Sequence, residues 1–150
     1  GNKAVDAILY QKRRQAEWEN IKWECDVRMP KGCCINEFDL CVLFGNILDN
    51  ALEACGRMRG DECHFINIQA KTVKKCFLIE VKNSMDRTEK YPDGFTHKGD
   101  SQEHGIGLLN VSDVVNRYNG AVHKEAQKGI FVISILMPLN DTAHDIKTAV

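Results

Sequence analysis

No apolar run in this chain approaches the roughly 18 to 20 residues that cross a bilayer, and the N-terminus lacks the apolar core of a signal peptide. The piece is expected to be soluble and to make no membrane contact of its own. Net charge is also missing: 20 Lys and Arg stand against 21 Asp and Glu, which gives no global electrostatic case for nucleic acid. Among the seven cysteines (Cys25, Cys33, Cys34, Cys41, Cys55, Cys63 and Cys76) there is no Cys-x-x-Cys pair. Cys63-His64 is an isolated neighbour pair, so neither a zinc set nor a disulfide framework is indicated. An odd count without an export signal points to a reducing compartment. Internal repeats and low-complexity tracts are absent too. At 150 residues and 43% hydrophobic content, one domain with one substantial core suffices.

What is present is a clear succession of periodicities. Residues Asn2 to Asn20 read as a charged helix with Val5, Ile8, Leu9 and Ala16 on one stripe, Trp18 adding aromatic area, and the Lys and Arg side chains in solvent. Ile21 to Met29 alternates apolar and charged residues, the period of a half-buried strand. Pro30-Lys31-Gly32 breaks it, and Asn36 is placed to cap a long helix, Glu37 to Cys55, apolar over most of its circumference. Cys41 and Cys55 fall on its apolar faces, where thiols act as small hydrophobes. Phe65 to Ala70 and Cys76 to Val81 read as strands joined by a hairpin at Thr72 to Lys75. Asn83 to Glu103 loses periodicity, and so long a polar loop points to a functional lid. A helix from Leu108 to Tyr118, a turn at Asn119-Gly120, strands at Ala121 to Glu125 and Gly129 to Met137, and a tail from Asn140 to Val150 complete the chain.

Two segments carry chemistry. Asn46, Asp49, Asn50 and Glu53 stand at helical spacings of 0, 3, 4 and 7, so four polar side chains share one side of a mostly apolar helix. A solvated face would show the same stripe. Two asparagines in mid-helix cost stability unless their amides are used, and a neutral amide oxygen suits magnesium already charged with phosphate. The second segment, His104-Gly105-Ile106-Gly107-Leu108, opens a helix with a Gly-x-Gly turn whose backbone N–H groups can face an anion. Lys98 in the preceding loop could close over phosphate as a cation, or be an ordinary exposed lysine.

Taken in order, these motifs resemble the catalytic, ATP-binding domain of sensor histidine kinases in the gyrase, heat-shock chaperone, histidine kinase and MutL (GHKL) superfamily. Within it they are most similar to the quorum-sensing and peptide-responsive kinases of Gram-positive bacteria. Asn46-x-x-x-Asn50-Ala51 matches the N box. His104-Gly105-Ile106-Gly107-Leu108 matches the second glycine box, and Lys98-x-Asp100-x-x-x-His104-Gly105 the lid signature of that branch. The resemblance implies an α/β (α+β) two-layer sandwich of the Bergerat type, a mixed sheet of about five strands covered on one face by helices. Residues 1–20 would end a linker or dimerisation helix, 21–139 would form the ATP-binding domain, and 140–150 a C-terminal tail.

The same resemblance implies ATP and Mg2+ as ligands. Asn50 would coordinate the metal, with Asn46 supporting it or touching phosphate. Asn83 falls where relatives read the adenine amino group. Gly105, Ile106, Gly107 and Leu108 would present backbone to phosphates, with Lys98 and His104 beside them, and Asn46 and Lys98 would serve catalysis. The implied partners are an upstream phosphoacceptor and dimerisation domain and a response regulator. A membrane-anchored receptor would then carry this cytoplasmic domain, and dimerise through parts outside it.

Departures from the family pattern are specific. The first glycine box reads Asn83-Ser84-Met85-Asp86-Arg87, without a glycine, and Glu53 stands where many kinases have lysine. Asn46 replaces the glutamate that serves as general base in gyrase-like and MutL-like ATPases, so transfer to a protein side chain is favoured over hydrolysis. None of the five histidines lies in the first helix, and the resemblance implies a phosphoacceptor histidine upstream of Gly1. Two other readings stay open: an anti-sigma-type serine kinase of the same fold, and a degenerate scaffold without nucleotide.

Overall fold

A computed structural model describes residues 2–32, 34–60, 62–88 and 110–139. Helix α1 (Lys3–Trp18) opens on Asn2, whose Oδ1 accepts from the Ala4 and Val5 N–H groups at 3.0 Å each, so two otherwise orphaned donors are satisfied. It closes with Asn20 in the left-handed region (φ 58°), the Asn20 N–H bonded to Glu17 O and the Ile21 N–H to Ala16 O. Val5 and Ala16 are fully buried, with Ile8 and Leu9 packed beside them. Trp18 instead stands 90% exposed. Two residues past Ala16 is more than half a turn round the helix, off the buried stripe.

Strand β1 (Lys22–Val27) is shorter than its alternation suggests and forms one edge of the sheet. Trp23, Cys25 and Val27 do face the helix side, in register with Ile66, Ile68 and Ala70. Cover at the edge is thin, so Trp23 and Val27 are half-buried and Cys25 is exposed. Helix α2 (Glu37–Gly56) starts at Asn36, whose Oδ1 accepts from Phe38 N at 2.7 Å. Its inner side, including Leu40, Leu43, Phe44, Ile47, Leu48, Ala51 and Leu52, lies against the sheet. Phe38, half a circumference away from Ile47, is exposed.

Strands β2 (Phe65–Val73) and β3 (Cys76–Ser84) form a hairpin over Lys74 and Lys75, with Lys74 at φ 56°. Both are longer than their apolar runs, so Asn83 and Ser84, expected at the start of the loop, complete β3. Residues 110–117 are helical, with Val111, Val114 and Val115 buried. Strands β4 (Ala121–Gln127) and β5 (Ile130–Pro138) meet at Lys128-Gly129, both with positive φ, the geometry of a two-residue hairpin turn that matches strand twist.

The sheet order is β1-β2-β3-β5-β4, parallel between β1 and β2 and antiparallel elsewhere. Ile66, Ile68, Phe77, Ile79, Val81, Ile133 and Ile135 point into the helices, whereas Asn67, Gln69, Lys82 and Leu136 occupy the other face. Fully burying each large apolar side chain contributes about 1.5–3 kcal/mol. The architecture is therefore the expected two-layer sandwich, a mixed five-stranded sheet with helices on one face.

Candidate functional site

The polar stripe of α2 does not act as one surface. Asn50 lines a recess between α2 and the sheet, walled by Ile47, Ala51 and Ala54 from the helix and by Asn83, Phe131 and Ile133 from β3 and β5. Its enclosed cavity is only about 20 Å3, and the figure reaches about 300 Å3 only when the open mouth is counted. Ala51 and Ala54 are one helical turn apart and too short to fill the space opposite Asn83 and Ile133. The gap between helix and sheet follows from that small pair.

Asn83 is 1% exposed at the floor of this recess. Its Nδ2 donates to the Ser84 carbonyl at 2.8 Å, which turns the amide so that Oδ1 is left to accept. Ser84 is itself pinned. Its Oγ accepts from Phe65 N at 2.9 Å and lies 3.5 Å from Cys55 Sγ, while the same sulfur is 3.7 Å from the Ser84 carbonyl oxygen. Burial pushes the Cys55 thiol pKa up, so this contact is a neutral one in a reduced protein. The chain then continues through Met85, 3% exposed, whose N–H donates to Gly129 O at 2.9 Å. Met85 is thereby clamped to the β4–β5 turn.

The remaining members of the stripe diverge. Asn46, one turn before Asn50, is half-buried, and no described residue hydrogen-bonds its amide or that of Asn50. Asp49 is taken by α1: its Oδ1 lies 2.5 Å from Lys12 Nζ, a lysine side chain only 15% exposed. Lys12 thus departs from the solvated basic face expected of α1. Glu53 is exposed. Lys98, His104, Gly105, Ile106, Gly107 and Leu108 lie outside the described residues.

A second cluster fastens α2 to the helix that follows the glycine turn. Tyr118 Oη donates to Asp39 Oδ2 at 2.6 Å and accepts from Asn36 N at 3.0 Å, and Arg117 Nη1 donates to Asp39 Oδ1 at 3.1 Å. Asp39 is 6% exposed, so these donors compensate its desolvation. Burial, and then the hydrogen bond to Asp39, raise the Tyr118 pKa above the usual phenol value. Among the described residues, no group of three or more His, Cys, Asp or Glu side chains is placed to hold a metal ion.

The structure thus brings Asn50 and Asn83 into one recess, with Asn46 one turn away on the same helix. Ile47, Ala51, Ala54, Phe131 and Ile133 were not singled out from sequence as site residues. The Ala51/Ala54 pair was a readable signal of space on the helix. Phe131 and Ile133 carried none, because their place depends on β5 lying beside β3.

Known proteins resemble this chain. A family model described as GHKL domain matches residues 35–138, more than half of the chain. A probable C4-dicarboxylate sensor kinase of Halalkalibacterium halodurans is 28% identical over 120 residues, covering 73% of this chain and 21% of that protein. The chain thus spans about a fifth of that relative's length. Among solved structures, the nucleotide-free catalytic domain of histidine kinase ThkA superposes with a TM-score of 0.70 at 17% identity, over 92% of this chain and 91% of that one. Acinetobacter baumannii histidine kinase AdeS gives 0.67 at 14% identity, over 92% and 64%. The histidine kinase domain of Erythrobacter litoralis EL346 gives 0.69 at 12%, over 94% and 63%. With a matched family segment that contains α2, β3, β5 and the whole recess, the chain belongs to the GHKL domain family and has the fold of histidine kinase catalytic domains.

Proposed function

We propose that this chain is the ATP·Mg-binding catalytic domain of a two-component sensor histidine kinase, and that it transfers the γ-phosphoryl group to a histidine on an upstream domain. The observation that carries the reading is the meeting of Asn50 and Asn83 in one otherwise apolar recess. The recess would have to widen to admit a flat heteroaromatic ring, to which Ile47, Phe131 and Ile133 would offer apolar walls and Asn83 Oδ1 one acceptor for an exocyclic amino group. Asn50 is the proposed magnesium ligand, its amide oxygen adding to a shell supplied mostly by phosphate and water. Asn46 supports it or contacts phosphate. Lys98, His104 and the backbone of Gly105, Ile106, Gly107 and Leu108 are proposed to complete the phosphate end.

An amide at position 46 cannot take a proton from water, so the chemistry left to the site is positioning and charge stabilisation of a phosphoryl group passing to a side chain. The full protein is then a receptor of the Gram-positive peptide-responsive type. It would be membrane-anchored with this domain in the cytoplasm, dimeric through its upstream helices, and paired with a response regulator. The chain alone is expected to bind ATP without phosphorylating itself.

One observation favours a second reading, a scaffold without nucleotide: the segment after Asn83 has no glycine and begins with Met85 buried against the β4–β5 turn. Calorimetric titration with a non-hydrolysable ATP analogue separates the two. Magnesium-dependent binding that Asn50→Ala abolishes is the expected result. Absence of binding at millimolar ligand would overturn the kinase reading and leave the scaffold.

A further inference from the structure

Lys12 lies outside the segment that the family model matches, yet it reaches the nucleotide-binding helix. It belongs to α1, at helical spacing from the buried Val5 and Ala16, and its side chain is 15% exposed despite a charged end. Its ammonium is held against Asp49, which sits directly before Asn50 and one turn after Asn46. An uncompensated carboxylate here would stand within one helical turn of both asparagines. It would repel a polyphosphate and compete with phosphate oxygens for the metal.

We infer that Lys12 is a positioning residue of the nucleotide site: by neutralising Asp49 and holding it toward α1, it keeps the Asn46–Asn50 turn receptive to Mg·triphosphate and makes α1 docking and nucleotide binding mutually dependent. The inference rests on the ATP·Mg reading above. It differs from a mere helix staple, because the effect runs through the charge of Asp49 and reaches only the phosphate end of the ligand. Thermodynamic reciprocity follows: whatever displaces α1 lowers triphosphate affinity, and bound triphosphate holds α1 in place.

Calorimetry on the whole 150-residue chain tests this, with adenosine and with an Mg2+-loaded non-hydrolysable ATP analogue as probes. Lys12→Met is expected to weaken the triphosphate about tenfold, the scale of losing one nearby compensating charge, and to leave adenosine binding unchanged. Lys12→Arg should restore affinity, as should Asp49→Asn in the Lys12→Met background, since the neutral amide needs no cation. Equal weakening of both ligands, or failure of Asp49→Asn to restore triphosphate binding, overturns the inference in favour of a staple or of direct phosphate contact. Unchanged affinity in Lys12→Met overturns it outright while the ATP reading stands. A wild-type chain that binds neither probe overturns that reading and the inference with it.

Discussion

Tyr118 shows how much one side chain settles in this domain. Its hydroxyl donates to a buried carboxylate and accepts from the amide that opens α2, so it serves two elements at once. Tyr118→Phe leaves Asp39 with Arg117 alone and is expected to cost about 1–3 kcal/mol, measured by urea unfolding at neutral pH. The raised phenol pKa sets the sign of a pH effect. The contribution is fully present below the unfolded value, near 10, and is lost as pH rises through the higher folded value. Wild type should therefore lose its advantage over Tyr118→Phe in alkaline urea titrations, and a constant difference up to pH 12 would contradict this. Asn83 makes the complementary case. Its Nδ2 faces the Ser84 carbonyl, so Asn83→Asp would set a carboxylate against that oxygen. We expect a loss of about 1–3 kcal/mol at pH 7, recovered as the pH falls and the new carboxyl protonates. Asparagine at this position was readable in the sequence. Its orientation was not, because the constraint comes from β2 and Cys55 through Ser84.

Elements were legible where one periodicity ran uninterrupted between strong end signals. Asn2 and Asn36 cap α1 and α2, and Asn119-Gly120 ends the helix over residues 110–117 with Asn119 at φ 56° and a Gly120 N–H to Val115 O bond. Gly120 serves more than the turn. A Cβ there would meet the Leu136 carbonyl at 2.6 Å and both Met137 Cγ and Val115 Cγ1 at 2.9 Å, so the helix end sits directly on β5. Gly120→Ala is expected to destabilise by about 1–3 kcal/mol through overpacking, read from the urea midpoint. Misjudged elements share a cause. The alternation in β1 gave the correct face, but an edge strand has little cover, so Cys25 stays exposed. The lysines and arginines of α1 looked alike along the helix, yet only Lys12 stands opposite Asp49.

At the scale of the molecule, the recess exists because α2 crosses β3 and β5 side by side. A ligand that binds only the folded form raises stability by mass action, by about 2.7 kcal/mol at a hundredfold excess over its dissociation constant. Mg·ATP should therefore raise the melting temperature of the wild-type chain and leave that of Asn50→Ala unchanged, monitored by circular dichroism. Equal shifts in the two proteins would remove Asn50 from the site.

By itself the sequence determined the type and order of the described elements and the Asn46/Asn50 pair, because these depend on residues within a few positions of one another. Only the tertiary structure decided which asparagine meets Asn83, that Phe131 and Ile133 complete the wall, and that Lys12 claims Asp49. Those contacts join residues 33 to 83 positions apart. No local periodicity encodes them, since they arise from strand order and from the way α1 and α2 pack on the sheet.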